Sequence, residues 1–370
     1  MTLVRTPSKE LSGIPTVNIP ANLQAALSSG RQTMAILTEV VRLRMGAGML
    51  TPSEYFYYRL WNPALPMSDK LRFVGKQAQH PMHMACNHTG WYATAADKLL
   101  FQMVMTGAGL PTPTLLATTG VGRGPTGVPC LNDAAEIAAF LREPDHYPFF
   151  AKPIDGKYSL CILSGDTIDR ASDRILRRGQ AETSVTTASA GMSSREAGFI
   201  IERRLAPDSR LVGLFGPCLW SVRLLVLLTP TGPVIHRAVA KIATGTNAAD
   251  NFWRPGNMLG AIELTTGTIT RLVRGTGIET AVNLAHPDTG AQIVGAVIPD
   301  WGSVLDLTAA AACVLPGIRT QSWDVALTDR GPVLLEVNFG GDLNLAQLAS
   351  GAGVLDDQYR EHLGRCGYRF

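Results

Sequence analysis

Trp323-Asp-Val-Ala-Leu-Thr-Asp-Arg-Gly-Pro-Val-Leu-Leu-Glu-Val-Asn338 decides how the chain is read. Two β-prone runs flank Thr328–Pro332, whose composition marks a turn. With Leu327 opposite Val333, Asp324 falls opposite Glu336, and Asn338, two residues on, shares the face of Glu336. Opposed carboxylates flanked by Trp, Val and Leu are costly to bury unless a cation lies between them. Two carboxylates and an amide oxygen make a hard oxygen site suited to Mg²⁺. The alternative is a solvent-facing hairpin with unrelated charges.

A second hairpin upstream has the opposite sign. Leu219–Leu228 turns through Thr229–Pro233 into Val234–Ala243. Pairing Leu228 with Val234 sets Arg223 opposite Val239, with Lys241 diagonal to it and Arg237 on the same face. Like charges on an apolar ribbon invite an anion, unless they guard an exposed edge. Further upstream, Phe149-Phe-Ala-Lys-Pro-Ile-Asp-Gly-Lys157 sets Lys152 at a strand end. A loop follows whose N–H groups could close over a phosphate.

The rest of the composition narrows the field. The 370 residues allow two or three domains. With 46% hydrophobic and 17% charged residues, disorder is excluded. A net charge of +3 is too balanced for a dedicated nucleic-acid binder. No apolar run is long enough for a membrane span, and MTLVRTPSKELSG has no signal-peptide core, so a cytoplasmic protein is expected. The six cysteines form no CxxC pair, which excludes a zinc ribbon or thioredoxin motif and suggests free thiols filling core space. His80, His83 and His88 gather around Cys86, but their spacing matches no standard metal site and reads as a solvated loop. Gly120-Val-Gly-Arg-Gly124 lacks the helix that a dinucleotide loop needs, and no Walker loop, HExxH or GxSxG is present.

Residues 21–60 read as helical, with Leu23, Leu27, Met34, Leu37, Val41 and Met45 at spacings near 3.6. Thr51-Pro-Ser-Glu54 starts a helix. Tyr55, Phe56, Tyr57, Tyr58 and Trp61 crowd together; they either pack on the body of the protein or form a patch for a partner, including a second copy in a homodimer. Arg72–Gly75 reads as a short strand, Thr94–Ala108 as a helix, and Leu115–Thr118, Phe149–Pro153, Leu160–Leu163 and Phe199–Glu202 as strands. A helix capped by Asn132 or Asp133 runs to about Arg142. Residues 170–197 read as loop and helix, 244–302 as loop-rich, and 303–314 as helix. Strands and helices mix without strict alternation, which favours α+β.

Taken in order, these pieces resemble the ATP-grasp superfamily. More closely, the chain is similar to the sugar-transfer-associated ATP-grasp family over about residues 50–350. That resemblance rests on Asp97-Lys98, Gly109-Leu-Pro-Thr-Pro113, Ser221-Val-Arg223, Asp250-Asn-Phe252, His286-Pro-Asp-Thr-Gly290, Ile298-Pro-Asp-Trp301, Trp323-Asp324 and Glu336-Val-Asn338. It implies two α+β lobes enclosing ATP behind a mostly helical N-terminal region: 1–93 helical, 94–352 ATP-grasp (smaller lobe about 110–205, larger about 206–352) and a tail at 353–370. It further implies that Lys98, Lys152 and the loop with Lys157 hold phosphates. Glu202-Arg203-Arg204-Leu205 would lie under adenine and Asp208 near the ribose. Arg223 and Lys241 would face the transferring phosphate, and Asp324, Glu336 and Asn338 would hold Mg²⁺. For His286 and Asp288, packing, capping and substrate contact all stay open. The implied chemistry is ligation, in which a substrate carboxylate becomes an acyl phosphate and is joined to an amine or similar nucleophile. A kinase on the same fold and a non-catalytic ATP-binding partner are the alternatives. The loop at Asp155–Ser159 has fewer glycines than many ATP-grasp loops, and Lys241 stands where the family often has arginine.

Overall fold

The computed structural model describes residues 17–120, 122–156, 161–177, 179–247, 249–282 and 285–370, so Lys157 lies outside the described residues. The chain opens with helices α1 (Ile19–Ser28), α2 (Thr33–Met45), α3 (Pro52–Tyr57), α4 (Met67–Lys70), α5 (Lys76–Cys86), α6 (Tyr92–Ala96) and α7 (Lys98–Gly107). Thr51 and Glu54 cap α3 reciprocally, each side chain taking the other's backbone N–H. The helix buries Tyr55, Phe56 and Tyr57. In α2 the helical period is as expected, but the face is not. Ile36 and Leu43 are buried, whereas Met34, Leu37, Val41 and Met45 are exposed. Both faces are apolar, so periodicity alone could not choose between them.

Arg72–Gly75 forms no strand. The Val74 N–H donates to Gln347 Oε1 (2.7 Å) and its carbonyl accepts from Gln347 Nε2 (2.9 Å), so one side-chain amide takes the place of a partner strand. The expected helix at Thr94–Ala108 is two helices. Asp97 is extended and caps α7 through Leu100 N–H (2.9 Å), and the break turns Lys98 toward the carbonyl of Gly156.

The smaller sheet has the order β2-β1-β8-β3-β4. Its strands are β1 (Leu115–Thr119), β2 (Cys130–Leu131), β3 (Phe149–Pro153), β4 (Leu163–Gly165) and, after a three-stranded flap of β5 (Thr167–Asp169), β6 (Arg174–Leu176) and β7 (Thr183–Ser184), β8 (Phe199–Arg203). Helices α8 (Ala134–Leu141, capped by Asp133) and α9 (Val185–Ser193) cover it with Ile137, Leu141, Val185 and Met192.

The larger sheet has seven antiparallel strands. After α10 (Ser209–Phe215) come β9 (Ser221–Thr229), β10 (Gly232–Ile242), β11 (Met258–Ile262), β12 (Ile269–Arg274), β13 (Ala281–Val282), α11 (Trp301–Val314), β14 (Thr320–Thr328), β15 (Gly331–Phe339), α12 (Leu343–Ser350) and α13 (Asp357–Arg365). The spatial order is β13-β12-β11-β10-β9-β14-β15. Three of these strands lie in the stretch expected to be loop-rich. Leu264–Thr266 is a turn between β11 and β12, and the Thr/Gly-rich run Thr265–Thr268 masks the hairpin.

Alternation on the central strands divides the core. Val222, Leu224, Val226, Trp323 and Val325 face α11, while Leu225, Leu227 and Val239 face the other way, with Tyr57, Leu343 and Leu363. Thus α3 packs on the sheet, and Tyr58 Oη also bonds Asn344 Oδ1 (2.7 Å).

Candidate active site

Arg223, Lys241, Asp324, Glu336 and Asn338 lie on the sheet face opposite α11, because each alternates with residues that face that helix. Both hairpins close through two-residue turns, Thr229 pairing with Gly232 and Thr328 with Gly331. The pairings Leu228–Val234 and Leu327–Val333 expected near the turns are therefore off by one. Leu228 pairs with Pro233 and Leu327 with Pro332. A bulge in each hairpin restores the register further along: His236 is the extra residue in β10 and Leu335 in β15. Arg223 ends opposite Val239 and Asp324 opposite Glu336.

Because β9 also pairs with β14, Arg223 lies directly opposite Asp324 on its other side. The guanidinium grips the carboxylate with two parallel bonds, Nε–Oδ1 and Nη2–Oδ2, both 2.7 Å. Lys241 Nζ donates to the same Oδ2 at 2.8 Å and reaches Asp250 Oδ1 at 3.4 Å. Asp250 in turn accepts from the Ser221 hydroxyl. Burial opposes ionisation of Asp324, but Arg223 and Lys241 outweigh it and hold the carboxyl below its ordinary range. Burial likewise opposes charge on Arg223 and Lys241, and the facing carboxylates raise both. The cation that offsets the buried carboxylate is thus a pair of side chains from the neighbouring hairpin.

Glu336 is different. Its closest ionic contact among the described residues is Arg223 Nη2 at 3.9 Å, and it is partly exposed. Asn338 Nδ2 is buried without a hydrogen-bond partner among the described residues. Hard oxygens of Glu336 and Asn338, two residues apart on one face, fit the Mg²⁺ that the resemblance implies. Asp324 fits only as an oxygen shared with its two cations.

From the smaller lobe come Lys98, Lys152 and Glu202. Lys152 on β3 pairs with Glu202 on β8 at 3.0 Å, and the carboxylate is 5% exposed. Burial raises the pKa of Glu202, offset in part by Lys152 and Lys98, and Glu336 raises it further. Burial lowers that of Lys98, with Glu336 opposing. Glu336 therefore lies within electrostatic reach of both lobes' charges. Of the other described residues expected at the nucleotide, Arg203 and Asp208 are already engaged. Arg203 donates to the carbonyls of Tyr147 and Asp145, each 2.7 Å. Leu205 is half-buried. Asp208 caps α10 and spends both oxygens on Arg210, so a ribose contact has to displace that pair. His286 accepts from the Asp288 N–H (3.2 Å), and Asp288 accepts from the Gly245 N–H (2.6 Å), so both hold loops together.

Sequence reasoning missed Lys76 and Asp342, which pair at 2.9 Å beside the site. Asp342 also acts on Arg223. The readable signal was Gly340-Gly341, one residue beyond Asn338 and just before Asp342. Both have positive φ, and a side chain on Gly340 would run into the His83 ring.

No curated protein matches the chain. Among solved structures it is similar to an N5-carboxyaminoimidazole ribonucleotide synthetase in its ADP complex (12% identical, covering 66% of this chain and 45% of that one, TM-score 0.38). It is also similar to an L-amino acid ligase from Bacillus licheniformis (13% identical, 81% and 56% covered, TM-score 0.40) and to the D-alanine-D-alanine ligase from Coxiella burnetii (12% identical, 76% and 60% covered, TM-score 0.41). The chain spans about half the length of these proteins. The family model described as "Sugar-transfer associated ATP-grasp" matches residues 78–361, from within α5 to within α13 and across every site residue above except Lys76. With two α+β lobes and this match over most of its length, the chain belongs to the sugar-transfer associated ATP-grasp family.

Proposed function

We propose that this protein is an ATP- and Mg²⁺-dependent ligase that activates a substrate carboxylate as an acyl phosphate and joins it to an amine or similar nucleophile. ATP-grasp proteins are mostly ATP-dependent carboxylate–amine ligases and generally bind ATP with Mg²⁺. One observation carries the reading: the charges of both lobes meet at Glu336, with Arg223 3.9 Å from it and Lys241 reaching Asp324 on the neighbouring strand. A substrate carboxylate oxygen attacks the γ-phosphorus and ADP leaves; the amine nitrogen then attacks the acyl carbon and phosphate leaves. Both steps need concentrated positive charge and exclusion of water rather than a nucleophilic side chain.

In this reading Glu336 and Asn338, with Asp324 behind them, hold Mg²⁺, which when bound neutralises charge on the phosphate oxygens. Lys98 and Lys152 hold phosphates from the smaller lobe, together with the loop that carries Lys157. Lys152 can do so once it leaves Glu202, which then turns to the polar edge of adenine beside Arg203–Leu205. Arg223 and Lys241 stabilise the transferring phosphoryl group. Incubation with Mg-ATP and panels of acids and amines, followed by mass spectrometry, tests the reading. ADP plus an amide supports it; ADP plus a stable phosphorylated acceptor makes the protein a kinase; ATP bound but unconsumed with every panel makes it a non-catalytic partner.

A further inference from the structure

Cys86, His362 and Cys366 come together from opposite ends of the chain. Cys86 ends α5, His362 lies in the last turn of α13, and Cys366 caps that helix. The loop expected around His80, His83 and His88 is in large part this helix, and the partners of Cys86 are not those histidines. One ligand atom from each of the three lies within 4.8 Å of the others, and Cys366 Sγ is 3.8 Å from His362 Nε2. A tetrahedral ion with bonds of about 2.3 Å to sulfur and about 2.0–2.1 Å to nitrogen sets such atoms about 3.5–3.8 Å apart. The triad has to close by about 1 Å or less to meet that geometry.

We propose that Cys86, His362 and Cys366 form a zinc(II) site, at the opposite end of α5 from Lys76, that fastens α13 to α5. Two thiolates and an imidazole are the donor set this ion prefers, and their two thiol protons pass to solvent on binding. The surroundings hold the ligands in place. Arg319 donates to the Cys86 carbonyl at 2.8 Å and the Ala85 carbonyl at 3.0 Å. The next residue, Asn87, pairs through its side-chain amide with both backbone groups of Thr320, at 2.9 and 3.1 Å. The Tyr359 ring stacks on His362; the Thr320 hydroxyl, 3.0 Å from His362 Nε2, has to rotate away when that nitrogen takes the ion. Tyr359 Oη is buried without a hydrogen-bond partner among the described residues, next to this cluster in the packing of α13. A Cys86–Cys366 disulfide would use two of these groups, whereas a metal uses all three of the atoms that converge here.

The test uses the full chain, purified under reducing conditions without a polyhistidine tag and supplied with Zn²⁺ alone. One zinc per chain is expected by elemental analysis, and Co²⁺ in its place is expected to give thiolate-to-cobalt charge-transfer bands. Cys366→Ser and His362→Asn should each weaken zinc binding by more than about 100-fold, beyond what changes outside the ligand set cost. Cys161→Ser and Cys313→Ser, both at exposed positions, should leave it unchanged. Chelation should lower the melting temperature of wild type but not of Cys366→Ser. Zinc well below one per chain in folded wild-type protein, cobalt without thiolate bands, or a Cys86–Cys366 disulfide found by mass spectrometry would each overturn the proposal. None of these readouts depends on the reaction in the cleft.

Discussion

Hairpin β9–β10 and hairpin β14–β15 share a two-residue turn and a one-residue bulge, yet the first carries Arg223 and Lys241 to the sheet face and the second Asp324 and Glu336. Taken singly, each looks like half of a ligand site, one for an anion and one for a cation. Side by side they neutralise each other, and what stays available differs strand by strand. Asp324 is enclosed by its two cations, whereas Glu336, one strand further out, has only a 3.9 Å ionic contact among the described residues. Charge at a sheet face therefore belongs to the strand order and not to the hairpin.

The largest test of that view is Asp324→Ala, which strips Arg223 and Lys241 of their closest carboxylate and leaves them buried with only the longer contacts to Glu336 and Asp250 among the described residues. A loss of about 3–5 kcal/mol in chemical denaturation is expected; stability equal to wild type would mean the hairpins are not coupled. Glu336→Gln is the contrasting case. Its melting temperature should match wild type while Mg²⁺-dependent turnover falls at least about 100-fold, and wild-type turnover would remove Glu336 from the reaction. Lys152→Ala should weaken ATP binding about tenfold by calorimetry, equivalent to about 1.4 kcal/mol; unchanged affinity would leave Lys152 as the partner of Glu202 alone.

Acidification tests the pairing of Asp324 with its two cations. The folded pKa of Asp324 lies below the unfolded value of about 3.9. Its contribution is therefore complete above that value and drains away as pH falls through the folded one. Below about pH 4 wild type should lose stability more steeply than Asp324→Asn; parallel profiles would contradict the pairing. The smallest effect belongs to Arg237, on the same face as Arg223 but paired with the part-exposed Asp356 at 2.8 Å. Arg237→Ala should cost no more than about 1 kcal/mol, and a loss as large as that of Asp324→Ala would erase the distinction between the buried and the bordering charges.

The pairings Asp324–Glu336 and Arg223–Val239 were readable from sequence, although the assumed turns were one residue out. A two-residue turn and the observed site register differ by one, and only a bulge reconciles them; nothing in the composition around His236 or Leu335 announces it. The contact between Arg223 and Asp324 was not readable at all. It depends on β9 lying next to β14, a pairing between distant segments that no local pattern encodes. Glu202 and Lys152 were each singled out, but their ion pair follows from β3 lying beside β8. In α2, the outward Met34, Leu37, Val41 and Met45 could not be told from the inward Ile36 and Leu43, because both sets repeat with the helix.

The bulge at His236 has a practical consequence. Between it and the exposed tip at Pro230-Thr231 lie only a few ladder pairs, and beyond it the side chain of the bulged residue is held by Gln358 and Val354. The tip of the other hairpin is tied down, since Asp329 accepts from the Ser209 N–H at 2.7 Å. The Pro230-Thr231 tip is thus the better place to splice in a fluorescent peptide or capture tag, where added length loops into solvent and Arg223 and Lys241 keep their places.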